Sequence, residues 1–157
     1  MKSGLPKNPK VQREALAFFA VAAVLTYWIV RPQLGRGFWV DEAMTGWINQ
    51  KSPRAIVEWC AAYDIALPLP YLCYWLGGRL FGGSEIGLRW TSVLLAALNL
   101  TALFLAFRGS YGKRSWLLLL IPFLSTANWV AAEARYYAAL ALSCSLAHYK
   151  SAQFIQS

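Results

Sequence analysis

Apolar residues in this chain fall into long runs separated by short polar stretches, as in proteins that cross a membrane several times. The runs predict membrane helices at 15–31, 65–82, 86–107, 116–132 and 136–149. About 17 to 25 residues are needed to cross the hydrocarbon layer as a helix, so 65–82 lies near the lower limit. The pattern predicts an all-α polytopic membrane bundle of about five membrane helices, with residues 1–157 forming a single membrane domain.

The segment 32–64, between the first two runs, has a different pattern. Its apolar residues recur at helical spacing, which places them on one face of each of two short helices. Ser52-Pro53 separates the two helices, and Arg54 and Glu58 stand at i,i+4 in the second. We predict two interfacial amphipathic helices in the first extracytoplasmic loop. The apolar positions are Val40, Met44, Trp47 and Ile48 in the first helix, and Ile56, Trp59, Cys60 and Tyr63 in the second.

Composition agrees with a membrane protein. The chain is 58% apolar, and its net charge of +8 comes from basic residues scattered between the apolar runs. A nucleic-acid-binding surface would need these residues on one soluble face, so we expect no nucleic-acid partner and favour membrane lipids with anionic head groups. Cys60, Cys73 and Cys144 lack the spacing of a metal site or a disulfide framework and are interpreted as packing residues.

The charges that flank the apolar runs bear on orientation. Four basic residues precede the first run, so the positive-inside rule predicts a cytoplasmic N-terminus. A signal peptide is the competing interpretation, but the apolar run continues past the small residues at 20–22. If all five runs crossed, Arg108, Lys113 and Arg114 would lie outside, against the same rule. Either the second run enters the membrane without crossing, or the rule is violated at that turn. The four leading basic residues are Lys2, Lys7, Lys10 and Arg13.

Several charged or polar residues lie next to or within the apolar runs, and their positions require an explanation. Asp41 and Glu42 are adjacent in a chain with only seven acids. The plain explanation is that Asp41 N-caps the following helix and Glu42 adds a favourable charge to its first turn. A charge at bilayer depth is costly, which singles out Asp64, Arg89, Glu133 and Arg135. Asn99 lies inside the third run, where an interhelical hydrogen bond is the usual role.

These residues suggest one kind of chemistry. Carboxylates can accept a proton, and guanidinium groups can bind a phosphate with two hydrogen bonds. An outward cluster of Asp41, Glu42, Arg54, Asp64 and Arg135 would suit transfer of a group from a lipid phosphate. The sequence has no transition-metal motif and predicts no cofactor, although a divalent cation held by Asp41 and Glu42 is compatible with it.

Four motifs in order resemble those of the GT-C membrane glycosyltransferases, in the branch that includes dolichyl-phosphate-mannose protein mannosyltransferases and bacterial aminoarabinose transferases. They follow the first apolar run and, with it, extend over about 15–149. The motifs are Trp39-Val40-Asp41-Glu42-Ala43; Asp64 before a helix that begins Pro-Leu-x-Tyr; Leu80-Phe81-Gly82-Gly83-Ser84-Glu85-Ile86-Gly87-Leu88-Arg89; and Glu133-Ala134-Arg135-Tyr136-Tyr137.

The resemblance implies a polyprenyl-phosphate-linked sugar as donor and the bacterial inner (plasma) membrane as location. By the same resemblance, Asp41 would be the catalytic base and Glu42 would position Asp41 or the sugar. Arg135, or Arg54 as second candidate, would stabilise the leaving phosphate. Asp64 and Tyr136 would line the donor pocket.

An alternative function is a non-catalytic accessory subunit derived from the same family, which would scaffold a larger membrane complex. The position at which these enzymes carry a basic residue after the second acid holds Ala66. The family is also longer, with about a dozen spans, so this chain resembles only its N-terminal portion and is not expected to be active alone. Other membrane protein chains are therefore expected partners. A small transporter ranks below both functions because the spans offer few polar residues.

Overall fold

The computed structural model describes residues 8–33, 40–63, 68–123 and 137–156, and in these ranges the chain is helical without β-strands. An all-α fold is therefore confirmed for the described residues. The α-helices are α1 Pro9–Val30, α2 Val40–Asn49, α3 Pro53–Tyr63, α4 Pro68–Phe81, α5 Glu85–Tyr111 and α6 Tyr137–Gln156; 3-10 helices span Arg31–Gln33 and Gly112–Phe123.

Helices α1 and α5 pack side by side in opposite directions. Phe18 stacks on Phe104 with ring centroids 4.3 Å apart, and Tyr27 stacks on Trp90 at 4.9 Å. Residue numbers rise along α1 as they fall along α5, which defines an antiparallel pair. Trp116, from the second 3-10 helix, packs its edge against Phe18 and closes this core.

Helix α6 runs in the same direction as α5. Leu142 packs on the cluster that contains Leu95, and His148 lies against Phe107 with ring centroids 5.4 Å apart. Between these contacts, the Ser145 hydroxyl donates a hydrogen bond to Oδ1 of Asn99. The interhelical hydrogen bond predicted for Asn99 is thus present. Helix α6 therefore begins at the end of the bundle where α5 begins.

Helix α4 folds back on the first part of α5. Gly82, with φ +88°, lies in the turn between them, in backbone geometry that residues with a side chain rarely adopt. The hydroxyls of Tyr74 and Ser92 share a buried 2.8 Å hydrogen bond. Gly77 has no room for a side chain, because a Cβ there would lie 2.7 Å from Thr91 Cβ. The close approach fixes α4 against α5.

Helices α2 and α3 both pack on α4, and α3 does so through its predicted apolar face. Ile48 of α2, Ile56 and Cys60 of α3, and Tyr71 of α4 form one buried cluster. The opposite side of α3 is exposed, as at Arg54.

The buried side of α2 differs from the prediction. Met44 and Trp47, from its predicted apolar face, are exposed, whereas Glu42 and Thr45 are buried. The helix turns Glu42 inward because its carboxylate pairs with Arg89 of α5. The amphipathic pattern therefore predicted both helices, but indicated the buried side correctly only for α3.

Two helices in the described part of the chain are long and apolar enough to span a membrane, Pro9–Val30 and Glu85–Arg108. The prediction of about five membrane helices is not confirmed. Helix α4 has 14 residues, or about 21 Å at 1.5 Å per residue, which is less than the roughly 30 Å of a hydrocarbon layer. Of the predicted helix 116–132, residues 116–123 belong to a 3-10 helix that begins at Gly112, and the remainder lies outside the described residues.

The antiparallel packing brings two basic stretches to one end of the bundle. Arg108 Nε, near the end of α5, donates a 2.8 Å hydrogen bond to Oε2 of Glu14, near the start of α1. Lys10 and Lys113 are close enough to interact electrostatically with the same Glu14. The chain therefore leaves α1 and enters α5 at the same end of the bundle. This arrangement favours the expectation that the second apolar run does not cross.

Candidate functional site

A buried ion pair joins the acidic motif of α2 to the start of α5. Arg89 Nη2 donates to Oε2 of Glu42 at 2.8 Å, and Arg89 Nε donates to Oε1 at 3.1 Å. The Glu42 side chain is 0% exposed and that of Arg89 is 3% exposed. Each group satisfies the other in a place where either charge alone would be costly.

Local sequence explains why Arg89 reaches this position. The Ser84 hydroxyl accepts a hydrogen bond from the Gly87 backbone N–H and caps the start of α5. Arg89 follows in the second turn, where the hairpin with α4 holds the helix in place. The turn at Gly82 therefore sets the position of the guanidinium group relative to α2.

Asn49 provides a second contact that fixes α2. Its side-chain amide lies so close to α4 that a Cβ on Gly78 would be 3.0 Å from Asn49 Cγ. With Glu42 bound to α5 at the other end, α2 is held at both of its ends. The helix that carries the acidic motif is therefore packed against both α4 and α5.

Asp41 lies in the first turn of α2, directly before Glu42 in the sequence. The helix begins at Val40, two residues earlier than the N-cap role predicted for Asp41 would require. That prediction is not met, although Asp41 keeps a place in the turn where a negative charge is favourable. Glu42 also lies in this turn, but its carboxylate is committed to Arg89.

Arg54 is placed away from the buried pair. It lies in the first turn of α3, with its side chain 90% exposed, and its Nε donates to Oε1 of Glu58 at 2.8 Å. The predicted i,i+4 pair is thus present. An exposed guanidinium group already bound to a neighbour on its own helix has no geometry prepared for a phosphate, so this position lends no support to a substrate-binding role.

The other predicted site residues, Asp64, Arg135 and Tyr136, lie outside the described residues. The backbone of α6 begins at Tyr137, the last residue of the fourth motif. This start is at the end of the bundle that also holds Glu42 and Arg89. The first, third and fourth motifs therefore lead into helices that meet at one end.

A cation held jointly by Asp41 and Glu42 does not fit this arrangement. Both carboxylate oxygens of Glu42 accept hydrogen bonds from Arg89, and a divalent cation would have to displace the guanidinium group. Elsewhere in the described ranges, His, Cys, Asp and Glu side chains form no cluster of three or more that could hold a metal ion.

The sequence indicated that Arg89 needs an acidic partner but did not identify that partner. A lone arginine near the start of an apolar helix requires a partner, and Glu42 was one of several acids available. No protein-family model matches the chain, and comparisons with curated proteins and with solved structures give no match either. The geometry and the motifs are therefore the basis for a functional proposal.

Proposed function

We propose that this chain is a multi-pass membrane protein of the bacterial inner membrane with its N-terminus in the cytoplasm. The antiparallel apolar helices α1 and α5 support this placement. They bring Lys10, Arg13, Lys113 and Arg114 to one end, as the positive-inside rule requires for a cytoplasmic end. The opposite end, with Glu42 and Arg89, then faces outward. Helix α6, and the segment between Tyr111 and the start of α6, are proposed as the further membrane segments.

Helices α2 and α3 are proposed to lie at the extracytoplasmic surface of the inner membrane. Trp47 and Tyr63 are exposed, and Trp47 packs its ring edge-on against Trp59. The Lys51 ammonium group stands 4.5 Å from the centre of the Trp47 ring. Exposed aromatic rings beside a basic group are typical of helices at the boundary between lipid and water.

The proposed activity is sugar transfer from a polyprenyl-phosphate donor to an acceptor hydroxyl. The Asp41 carboxylate takes the proton of the acceptor hydroxyl while the acceptor oxygen bonds to the anomeric carbon. The bond from that carbon to the phosphate oxygen breaks, and the polyprenyl phosphate leaves with the electron pair. Arg135 is the proposed cation at the leaving phosphate, and Asp64 and Tyr136 line the donor pocket.

The observation that carries this proposal is the buried bond between Glu42 and Arg89. A transferring enzyme must hold its base in a fixed place relative to the donor. Glu42 attaches the first turn of α2 to the start of an apolar helix, so the neighbouring Asp41 is held where that helix meets the membrane surface. Glu42 is therefore proposed as a positioning residue that acts through Arg89.

The test is transfer of a labelled sugar from a polyprenyl-phosphate donor in native membranes. Asp41→Asn removes the base and should lower the rate by about 10²- to 10⁴-fold. Glu85→Gln is the matched control, because Glu85 is an exposed acid at the same end of the bundle and loses the same charge. Undiminished transfer in Asp41→Asn membranes would refute Asp41 as the base.

A second function, that of an accessory subunit, is favoured by the exposed apolar face of α1. Leu16, Val24 and Trp28 are each more than 60% exposed and are available to pack against another membrane chain. Extraction in mild detergent distinguishes this function. Recovery with stoichiometric partner chains and without transfer activity supports the subunit, whereas recovery as a free monomer contradicts it.

A further inference from the structure

The end of the bundle opposite the ion pair of Glu42 and Arg89 concentrates positive charge; we call it the basic end. It combines the first turns of α1, the last turns of α5 and α6, and the start of the second 3-10 helix. Glu14, the acid at this end in the described ranges, is already bonded to Arg108. An uncompensated positive surface therefore remains. The basic residues that remain besides Arg108 are Lys10, Arg13, Lys113, Arg114 and Lys150.

An apolar groove opens directly beside this charge. It has a volume of about 500 Å³ and lies between the end of α5 and the second 3-10 helix. Phe107 and Ile121 line its wall and Leu117, which is 65% exposed, lies along it. Arg114 and Tyr111 also line the groove and supply its polar groups. The groove thus places a guanidinium group and a hydroxyl next to an apolar channel.

We infer that the basic end binds one anionic phospholipid, with its head-group phosphate at Arg114 and Lys113 and an acyl chain in the groove. Both basic side chains are exposed, and a guanidinium group matches phosphate oxygens with two hydrogen bonds. A soluble phosphate would use the charge but leave the apolar wall in water. An acyl chain covers that wall, so the charge and the groove together select a lipid.

A second apolar groove on the same half of the bundle strengthens the assignment. It lies between α1 and α5, has a volume of about 500 Å³, and is lined by Leu16, Phe19, Leu98 and Leu105 among others. Arg13 is exposed one turn before Leu16 in α1. Apolar channels therefore flank the basic end on two sides, as a lipid-facing surface requires. The inference rests on the proposed membrane placement and is independent of glycosyl transfer.

The test is lipid retention by the purified full chain, measured by native mass spectrometry in detergent with equal amounts of phosphatidylglycerol and phosphatidylcholine. Lys113→Gln with Arg114→Gln removes the two charges, and Arg31→Gln with Arg79→Gln removes two exposed charges at the other end. We expect the wild type and the control to prefer phosphatidylglycerol. The first double variant should bind it roughly tenfold less well.

Equal retention of phosphatidylglycerol by both double variants would overturn the inference, as would a wild type that binds the two lipids equally. An excess of glycerol 3-phosphate should leave the lipid in place; displacement would show that the groove contributes nothing. Circular dichroism of each variant verifies the helical fold. If the lipid result fails while transfer still depends on Asp41, this inference falls and the proposed function stands. If phosphatidylglycerol binding depends on Lys113 and Arg114 while transfer does not depend on Asp41, the proposed function falls and this inference stands.

Discussion

Arg89 and Glu42 stand 47 positions apart in the sequence and are joined by two hydrogen bonds in the interior, the shorter of 2.8 Å. The pair connects an amphipathic helix to an apolar one at the end of the bundle where α6 also begins. It provides a physical reason for Glu42, one of the two adjacent acids of the first motif, because Glu42 holds α2 on α5; the neighbouring Asp41 is the proposed base.

Breaking this pair should destabilise the protein strongly. Glu42→Gln leaves the Arg89 guanidinium buried without its counter-charge, and the expected loss is about 3 to 5 kcal/mol in the free energy of unfolding. Replacing both residues with Met removes both buried charges and should cost much less than either single change. Unfolding in mixed detergent micelles measures the free energy of unfolding of the wild type and each variant.

The exposed pair of Arg54 and Glu58 is the control. Single and double variants at each pair give the coupling energy between its two residues. The side chains of Arg54 and Glu58 are 90% and 62% exposed, so water screens the attraction and the coupling should be below about 1 kcal/mol. A coupling energy for Glu42 with Arg89 as small as the exposed pair's would show that the buried contact does not hold α2 on α5.

The two ends of the bundle should lie on opposite sides of the membrane. In a background with Cys60, Cys73 and Cys144 replaced, Ser52→Cys is expected to react with a membrane-impermeant maleimide in intact spheroplasts. Lys113→Cys should react only after permeabilisation, because it lies at the basic end. Labelling of both positions from outside would contradict the antiparallel arrangement of α1 and α5 across the membrane.

The close approach of α4 to α5 depends on Gly77. Gly77→Ala would force a Cβ to within 2.7 Å of Thr91 Cβ, and the resulting overpacking should cost about 1 to 3 kcal/mol. Gly83→Ala is the matched control, since the nearest atom to its added Cβ would be the Asn49 amide nitrogen at 3.7 Å. Equal midpoints of thermal unfolding for the two variants would show that α4 is not packed as described.

The hydrogen bond between Asn99 and Ser145 should stabilise the contact of α5 with α6. Asn99→Leu removes it and is expected to cost about 0.6 kcal/mol, the average for such bonds between membrane helices, and at most about 1.7 kcal/mol. Thr101→Val serves as comparison, because the Thr101 hydroxyl donates within its own helix to the Ala97 carbonyl. A larger loss for Thr101→Val than for Asn99→Leu would contradict the interhelical role.

Local features of the fold could be predicted from the sequence. The periodic apolar residues correctly indicated α2 from Val40 and α3 from Pro53, and the long apolar runs indicated α1 and α5. These elements depend on residues a few positions apart, so their signals are local. The 3-10 helix that begins at Gly112 was not predicted, because an apolar run looks alike in either helix type.

Long-range relationships could not be obtained in the same way. The pairing of Glu42 with Arg89 and the antiparallel order of α1 and α5 depend on how helices pack, and no short-range periodicity encodes this. The role of the second apolar run was left open for this reason. Contacts such as Phe18 with Phe104 place the start of α1 beside the end of α5 and so favour the alternative in which this run does not cross.

The most direct measurement is labelled-sugar transfer from a polyprenyl-phosphate donor, with Asp41→Asn compared with Glu42→Met/Arg89→Met in native membranes. If Asp41 is the base and the buried pair only positions it, Asp41→Asn should lose about 10²- to 10⁴-fold in rate. The double variant, which replaces the ion pair by apolar packing, should keep most of its rate. Full transfer by Asp41→Asn, or a double variant as inactive as Asp41→Asn, would contradict this assignment of roles.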